Sequence, residues 1–107
     1  MEIRKEWLEM RDKVARLHPA MELSIKLLEE SLSKAASDAK ECDARGIGFA
    51  LEAAKQSVAL RKDAEHLRAA GILDEDSYSK FTYELATYRD SHFEELINKF
   101  STCICRK

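Results

Sequence analysis

The chain has 107 residues, 18 basic and 20 acidic side chains for a formal charge of -2, and only three glycines and one proline. One domain of this size can bury its own core, and the near-neutral balance gives no global field to recruit nucleic acid or an anionic membrane. With 45% apolar and 36% charged residues and few turn formers, the composition predicts an all-α fold of long helices with few connections.

No run approaches the roughly 18 apolar residues of a membrane span, and the N-terminal MEIRKEWLEMRDK is charged throughout, unlike a secretory signal. A cytoplasmic location is the expectation. Cys42, Cys103 and Cys105 are an odd number, two of them separated by a single residue, which does not read as a disulfide framework; reduced thiols are expected.

Taken in chain order, Ile3, Trp7, Met10, Val14 and Leu17 recur at steps of four and three, the rhythm of a helix seam over residues 2 to 17. Pro19 interrupts it, because its ring crowds His18 and it lacks an amide hydrogen. The rhythm resumes in phase at Met21, Ile25, Leu28, Leu32, Ala35, Ala39 and Cys42, which predicts a kink, or Pro19 at the first position of a new helix, over a wide loop. Two glycines in ARGIGFAL mark the next break, with Gly46 the expected left-handed terminator. A third helix runs from about Ile47 to the Gly71 cap, where Ile72 is expected to fold back onto Leu67. Asp74 is placed as the N-cap of the last helix, with Leu73 and Tyr78 at hydrophobic-staple spacing across it. That helix is expected to end near Phe100, leaving STCICRK as a flexible tail.

The predicted architecture is one domain over residues 1–100, an antiparallel bundle of three long helices plus a shorter N-terminal helix kinked at Pro19, followed by the tail 101–107. Small residues before Gly46 (Ser31, Ala35, Ala39) and after it (Ala50, Ala53, Ser57) predict close approach of the second and third helices. A tight His18–Pro19 junction is expected to let the first helix project, exposing the seam of Trp7, Met10 and Val14 as a partner site and favouring a homodimer. Tyr88 and His92 on the aromatic stripe of the last helix complete the candidate binding residues.

Candidate chemistry is sparse. Arg61 and His66 in RKDAEH have a spacing that resembles the R-x4-H signature of HEPN ribonucleases, small all-α proteins in which two protomers bring such pairs together to cleave RNA. The resemblance covers six residues and implies RNA cleavage by Arg61 and His66 across a dimer. By their own chemistry the same residues read as solvated charges, His66 and Arg68 favouring the negative end of a helix. Asp63 with His66, and His92 with Glu95, have the i, i+3 spacing of metal-binding pairs. A hairpin turning at residues 72 to 73 sets them roughly 20 Å apart, so no metal and no cofactor is expected. CICRK lacks further ligands for zinc and the position of a prenylation box. The stretch Ile72 to Phe100 holds three basic and seven acidic residues, an acidic face that would steer a basic partner. The function expected is a non-enzymatic helical protein-protein interaction module, an adaptor, inhibitor or regulatory subunit that also self-associates. The alternatives are a HEPN-like ribonuclease or a nucleic-acid-binding small subunit.

Overall fold

The computed structural model describes residues 3–105. They form four helices, α1 (Lys5–Leu17), α2 (Ala20–Lys40), α3 (Arg45–Ala69) and α4 (Glu75–Cys105), with no strand among the described residues. The molecule is an all-α antiparallel bundle measuring 53 × 21 × 17 Å. The 31 residues of α4, roughly 46 Å at 1.5 Å per residue, run nearly its whole length.

The connection at Pro19 is a reversal and not the expected kink. Proline pushes the residue before it out of the helical region, and His18 accordingly has φ -145° and ψ 92°. That single extended residue turns the helix axis back, so α1 lies antiparallel to α2. Trp7 Nε1 donates to Glu29 Oε2 at 3.3 Å and Arg11 Nη1 to the same oxygen at 2.6 Å. The opposite side of α1 runs antiparallel to α4: Arg4 meets Glu84 at 2.8 and 3.1 Å, and Lys13 Nζ donates to Ser77 Oγ at 2.6 Å.

The seam of α1 is therefore core. Trp7 is 0% exposed, with Met10 and Val14 also buried. Its indole stacks on Tyr88 at a centroid distance of 4.9 Å and on Phe81 at 6.0 Å. The projecting helix with an exposed Trp7 stripe is thus overturned. Trp7, Met10, Val14 and Tyr88 bury apolar surface within their own chain, each large side chain contributing about 1.5–3 kcal/mol as an upper estimate.

Gly46 is not the terminator of α2. That position is Cys42, with φ +53°, and the Asp43 amide closes the end by donating to the Asp38 carbonyl at 2.8 Å. Gly46 sits inside α3, buried, because a Cβ there would lie 2.7 Å from Phe100 Cζ, 2.9 Å from Asp38 Cβ and 3.1 Å from the Ala35 carbonyl oxygen. The glycine permits three helices to converge. Ala35 and Ala39 of α2 and Ala53 and Ser57 of α3 are buried, and α2 and α3 make the most extensive helix pair, in line with their small facing residues.

At the other end Gly71 adopts φ +75°, and the amides of Ile72 and Leu73 donate to the Leu67 carbonyl at 2.9 and 3.1 Å. Leu73, 1% exposed, is the apolar residue that folds in, whereas Ile72 stays in solvent. Asp74 Oδ2 accepts from the Ser77 amide at 3.1 Å, the expected N-cap. The last helix does not stop at Phe100 but continues to Cys105, which removes most of the expected tail; residues 106 and 107 lie outside the described residues. Nor is Cys103 a free thiol. It is bonded to Cys42 across a Cα–Cα distance of 5.6 Å, tying the end of α4 to the α2–α3 corner.

Candidate functional site

The two residues of the R-x4-H spacing do not come together. Five positions along a helix are 500° of rotation, so Arg61 and His66 point about 140° apart around α3. Both are exposed, and among the described residues neither enters a salt bridge or side-chain hydrogen bond. No group of three or more His, Cys, Asp or Glu side chains converges as a metal site would among the described residues.

The polar cluster between α1, α2 and α4 is built around Glu29. Its Oε2 accepts from both Trp7 and Arg11. Burial, reinforced by the negative charge of Glu29, pushes the Tyr88 phenol up to about 12. The His92 ring tilts against Tyr88 at 4.5 Å, and its Nδ1 is 2.8 Å from the Tyr88 carbonyl oxygen. Glu29 thus holds Trp7 and Arg11 together, whereas among the described residues the Tyr88 hydroxyl makes no hydrogen bond. The cluster docks α1, with Tyr88 buried in it and the half-buried His92 packed against the Tyr88 ring.

An apolar groove lies at the end of the bundle away from the Gly71 turn. Helix α1 has 13 residues, roughly 20 Å, and covers only the half near that turn. Along the outer face of α3, Ile47, Leu51, Ala54 and Val58 follow at steps of four, three and four, about 120° around the helix from the buried Ala53, Ser57, Leu60 and Ala64. Phe93, Ile97 and Phe100 of α4 face Ile47, Leu51 and Ala54 across a groove of about 360 Å³. Ile47 is 51% exposed, Leu51 67% and Ile97 64%. Helices α3 and α4 lie in register here, because Arg89 Nη1 donates to Ser57 Oγ at 3.2 Å and Phe100 meets Gly46.

The groove has charged margins of opposite sign. On α3 the margin away from α4 carries Lys55 and Lys62, four positions after Leu51 and Val58; on α4 the margin away from α3 carries Asp90 and Glu94, seven and three positions before Ile97. All four are exposed. Among the described residues Lys55, Lys62 and Glu94 enter no salt bridge, while Asp90 Oδ1 is 2.9 Å from Arg89 Nε. None of the groove's exposed residues was among the expected binding positions. The signal was present as a second apolar stripe on α3, which carries apolar residues on two separate faces and one partner face too few. Comparison of the chain with protein-family models, with curated proteins and with solved structures finds no match.

Proposed function

We propose that the protein is a non-enzymatic interaction module, of the adaptor, inhibitor or regulatory kind, whose docking surface is the α3–α4 groove. The observation that supports it is the contiguous exposure of Ile47, Leu51 and Ile97 around an apolar cleft. Large aliphatic side chains left in water along two neighbouring helices mark an interaction face. A helix laid into the groove would find anchors at the i, i+3, i+4, i+7 spacing of helix-in-groove recognition. The absence of convergence at Arg61 and His66 leaves RNA cleavage without a supporting geometry in one protomer.

The double variant Leu51→Asp/Ile97→Asp tests the reading. Both residues are exposed, so the fold and its circular dichroism are retained, while a protein held by the immobilised wild type from an extract of the native host is released. Capture of the same proteins by wild type and variant counts against the groove. So does cleavage of mixed RNA by the wild type that disappears in Arg61→Ala and in His66→Ala.

No helix among the described residues is long and apolar enough to cross a membrane. For the compartment, the cysteines carry the argument. The Cys42–Cys103 bond belongs to an oxidising setting, and the cytoplasm would hold the same pair as two thiols. Gel mobility of the natural protein, trapped by thiol alkylation and run with and without reductant, separates the two.

A further inference from the structure

We infer that the occupant of the groove is a second copy of this chain, docked about a two-fold axis parallel to the helices so that α3 of each protomer lies on α4 of its partner. The inference rests on the reading of the α3–α4 face as a docking surface and names what it docks.

The argument starts from the two ways in which a two-helix layer can meet its own copy. With the axis in the interface plane and perpendicular to the helices, α3 lies on α3 and α4 on α4. Each charged margin then faces its like: Lys55 and Lys62 meet the partner's Lys55 and Lys62, and Asp90 and Glu94 meet the partner's Asp90 and Glu94. With the axis parallel to the helices, α3 lies on the partner's α4, and the positive margin of each protomer faces the negative margin of the other. The register given by Ser57 with Arg89 and by Gly46 with Phe100 sets Lys55 level with residue 91 of α4. A two-fold axis along the helices preserves that level. Lys55 therefore arrives between the partner's Asp90 and the partner's Glu94, and the same contact repeats on the other side of the axis.

The apolar parts match as well. Such an axis lays Leu51 over the partner's Ile97 and Ile97 over the partner's Leu51, which is the self-complementarity an isologous interface requires. From Ile47 to Val58 the stripe is roughly 16 Å long, and two helices side by side are about 20 Å wide. The flat area of such a face, roughly 320 Å² a side, falls below the about 1,000 Å² in total that a stable interface clears, so the dimer is expected to be weak and to form toward the upper end of the micromolar range. The face has an apolar centre and a charged rim, as specific interfaces do.

The experiment is sedimentation velocity of the full chain across concentrations from about 1 µM to about 1 mM, where a monomer of 12.2 kDa and its dimer separate cleanly. Wild type is expected to dimerise. Lys55→Glu places glutamate opposite Glu94 at both symmetric contacts, and Glu94→Lys places lysine opposite Lys55. Each alone is expected to weaken the dimer by roughly tenfold or more. An equimolar mixture of the two variants restores attraction at both contacts, so a heterodimer of wild-type affinity forms from two chains that do not dimerise well alone. That rescue is specific to α3 on the partner's α4.

A wild type that stays at monomer mass throughout overturns the second copy as occupant. If Leu51→Asp/Ile97→Asp nonetheless releases a partner captured by wild type, the docking surface stands and only its occupant has been misassigned. A dimer insensitive to Leu51→Asp/Ile97→Asp overturns the inference by placing the contact elsewhere. A dimer that breaks with that variant but shows no rescue in the mixture overturns the axis.

Discussion

Trp7→Ala puts the reversal at Pro19 to a quantitative test. Trp7 heads the fully buried side chains by volume and lies against Phe81 and Tyr88. Truncating a buried tryptophan costs about 3–5 kcal/mol, the transfer term and the cavity together. The indole N–H is also lost, but Glu29 keeps its contact with Arg11 at 2.6 Å, so no buried carboxylate is orphaned and the hydrogen bond adds little beyond the cavity. A domain of this size has about 5–15 kcal/mol in all, so the loss takes a large share of it. Helix α1 contributes only Trp7, Met10 and Val14 to the core, and the cost has a ceiling at the free energy of docking that helix. Beyond the ceiling α1 detaches and α2 to α4 remain. Urea unfolding followed by far-ultraviolet circular dichroism distinguishes the two regimes, since a detached α1 lowers the m-value as well as the midpoint. Trp7→Phe, which keeps an aromatic ring between Phe81 and Tyr88, is expected to cost about 1–2 kcal/mol, chiefly for lost area. A Trp7→Ala variant within 1 kcal/mol of wild type and with an unchanged m-value would refute the reasoning, because it would return Trp7 to solvent and α1 to a projecting helix.

Three further outcomes follow from individual residues. Gly46→Ala is expected to destabilise by about 1–3 kcal/mol in thermal unfolding, since crowding at Asp38 and the Ala35 carbonyl outweighs the roughly 1 kcal/mol by which alanine favours a helix; a raised Tm would show that the helices are further apart. Reducing the Cys42–Cys103 bond, which closes a loop with a sequence separation of 61, is expected to cost up to about 4 kcal/mol by releasing the unfolded chain. Reductant should lower the Tm of wild type but leave Cys42→Ser unmoved, and equal responses would show that the bond is absent. For pH, burial holds the neutral Tyr88 phenol up to about 12, above the roughly 10 of an unfolded tyrosine. The folded pKa is raised, so this contribution is complete below about pH 10 and is lost as pH climbs through about 12. Tyr88→Phe should flatten the alkaline fall in stability, and an unchanged slope would place the ionising group elsewhere.

The turn between α3 and α4 could be read directly because its determinants are local. Gly71 supplies the left-handed residue, Asp74 caps the amide three positions on, and both do so whatever the rest of the chain does. The four helices and the facing small residues of α2 and α3 were legible for the same reason, through periodicity and side-chain size. Gly46 shows where local reading stops: glycine serves a positive φ and a close approach equally well, and only the arrival of Phe100 and Asp38 shows that the second is needed.

The candidate site was less legible still. The two stripes of α3 were both in the sequence, yet nothing local says which is core and which is left in water; that depends on α2 and α4 claiming the Ala53 side. The seam of α1 reads the same whether α1 projects or folds back, and the difference resides in one pair of backbone angles at His18. The pairing of Cys42 with Cys103 depends on the two later reversals falling at the right levels. Sequence alone thus determined what each segment becomes, through propensity, capping and period. Tertiary packing decided which apolar faces are satisfied, because burial is a property of pairs of helices, and the axis directions that form those pairs are set by single residues at the corners.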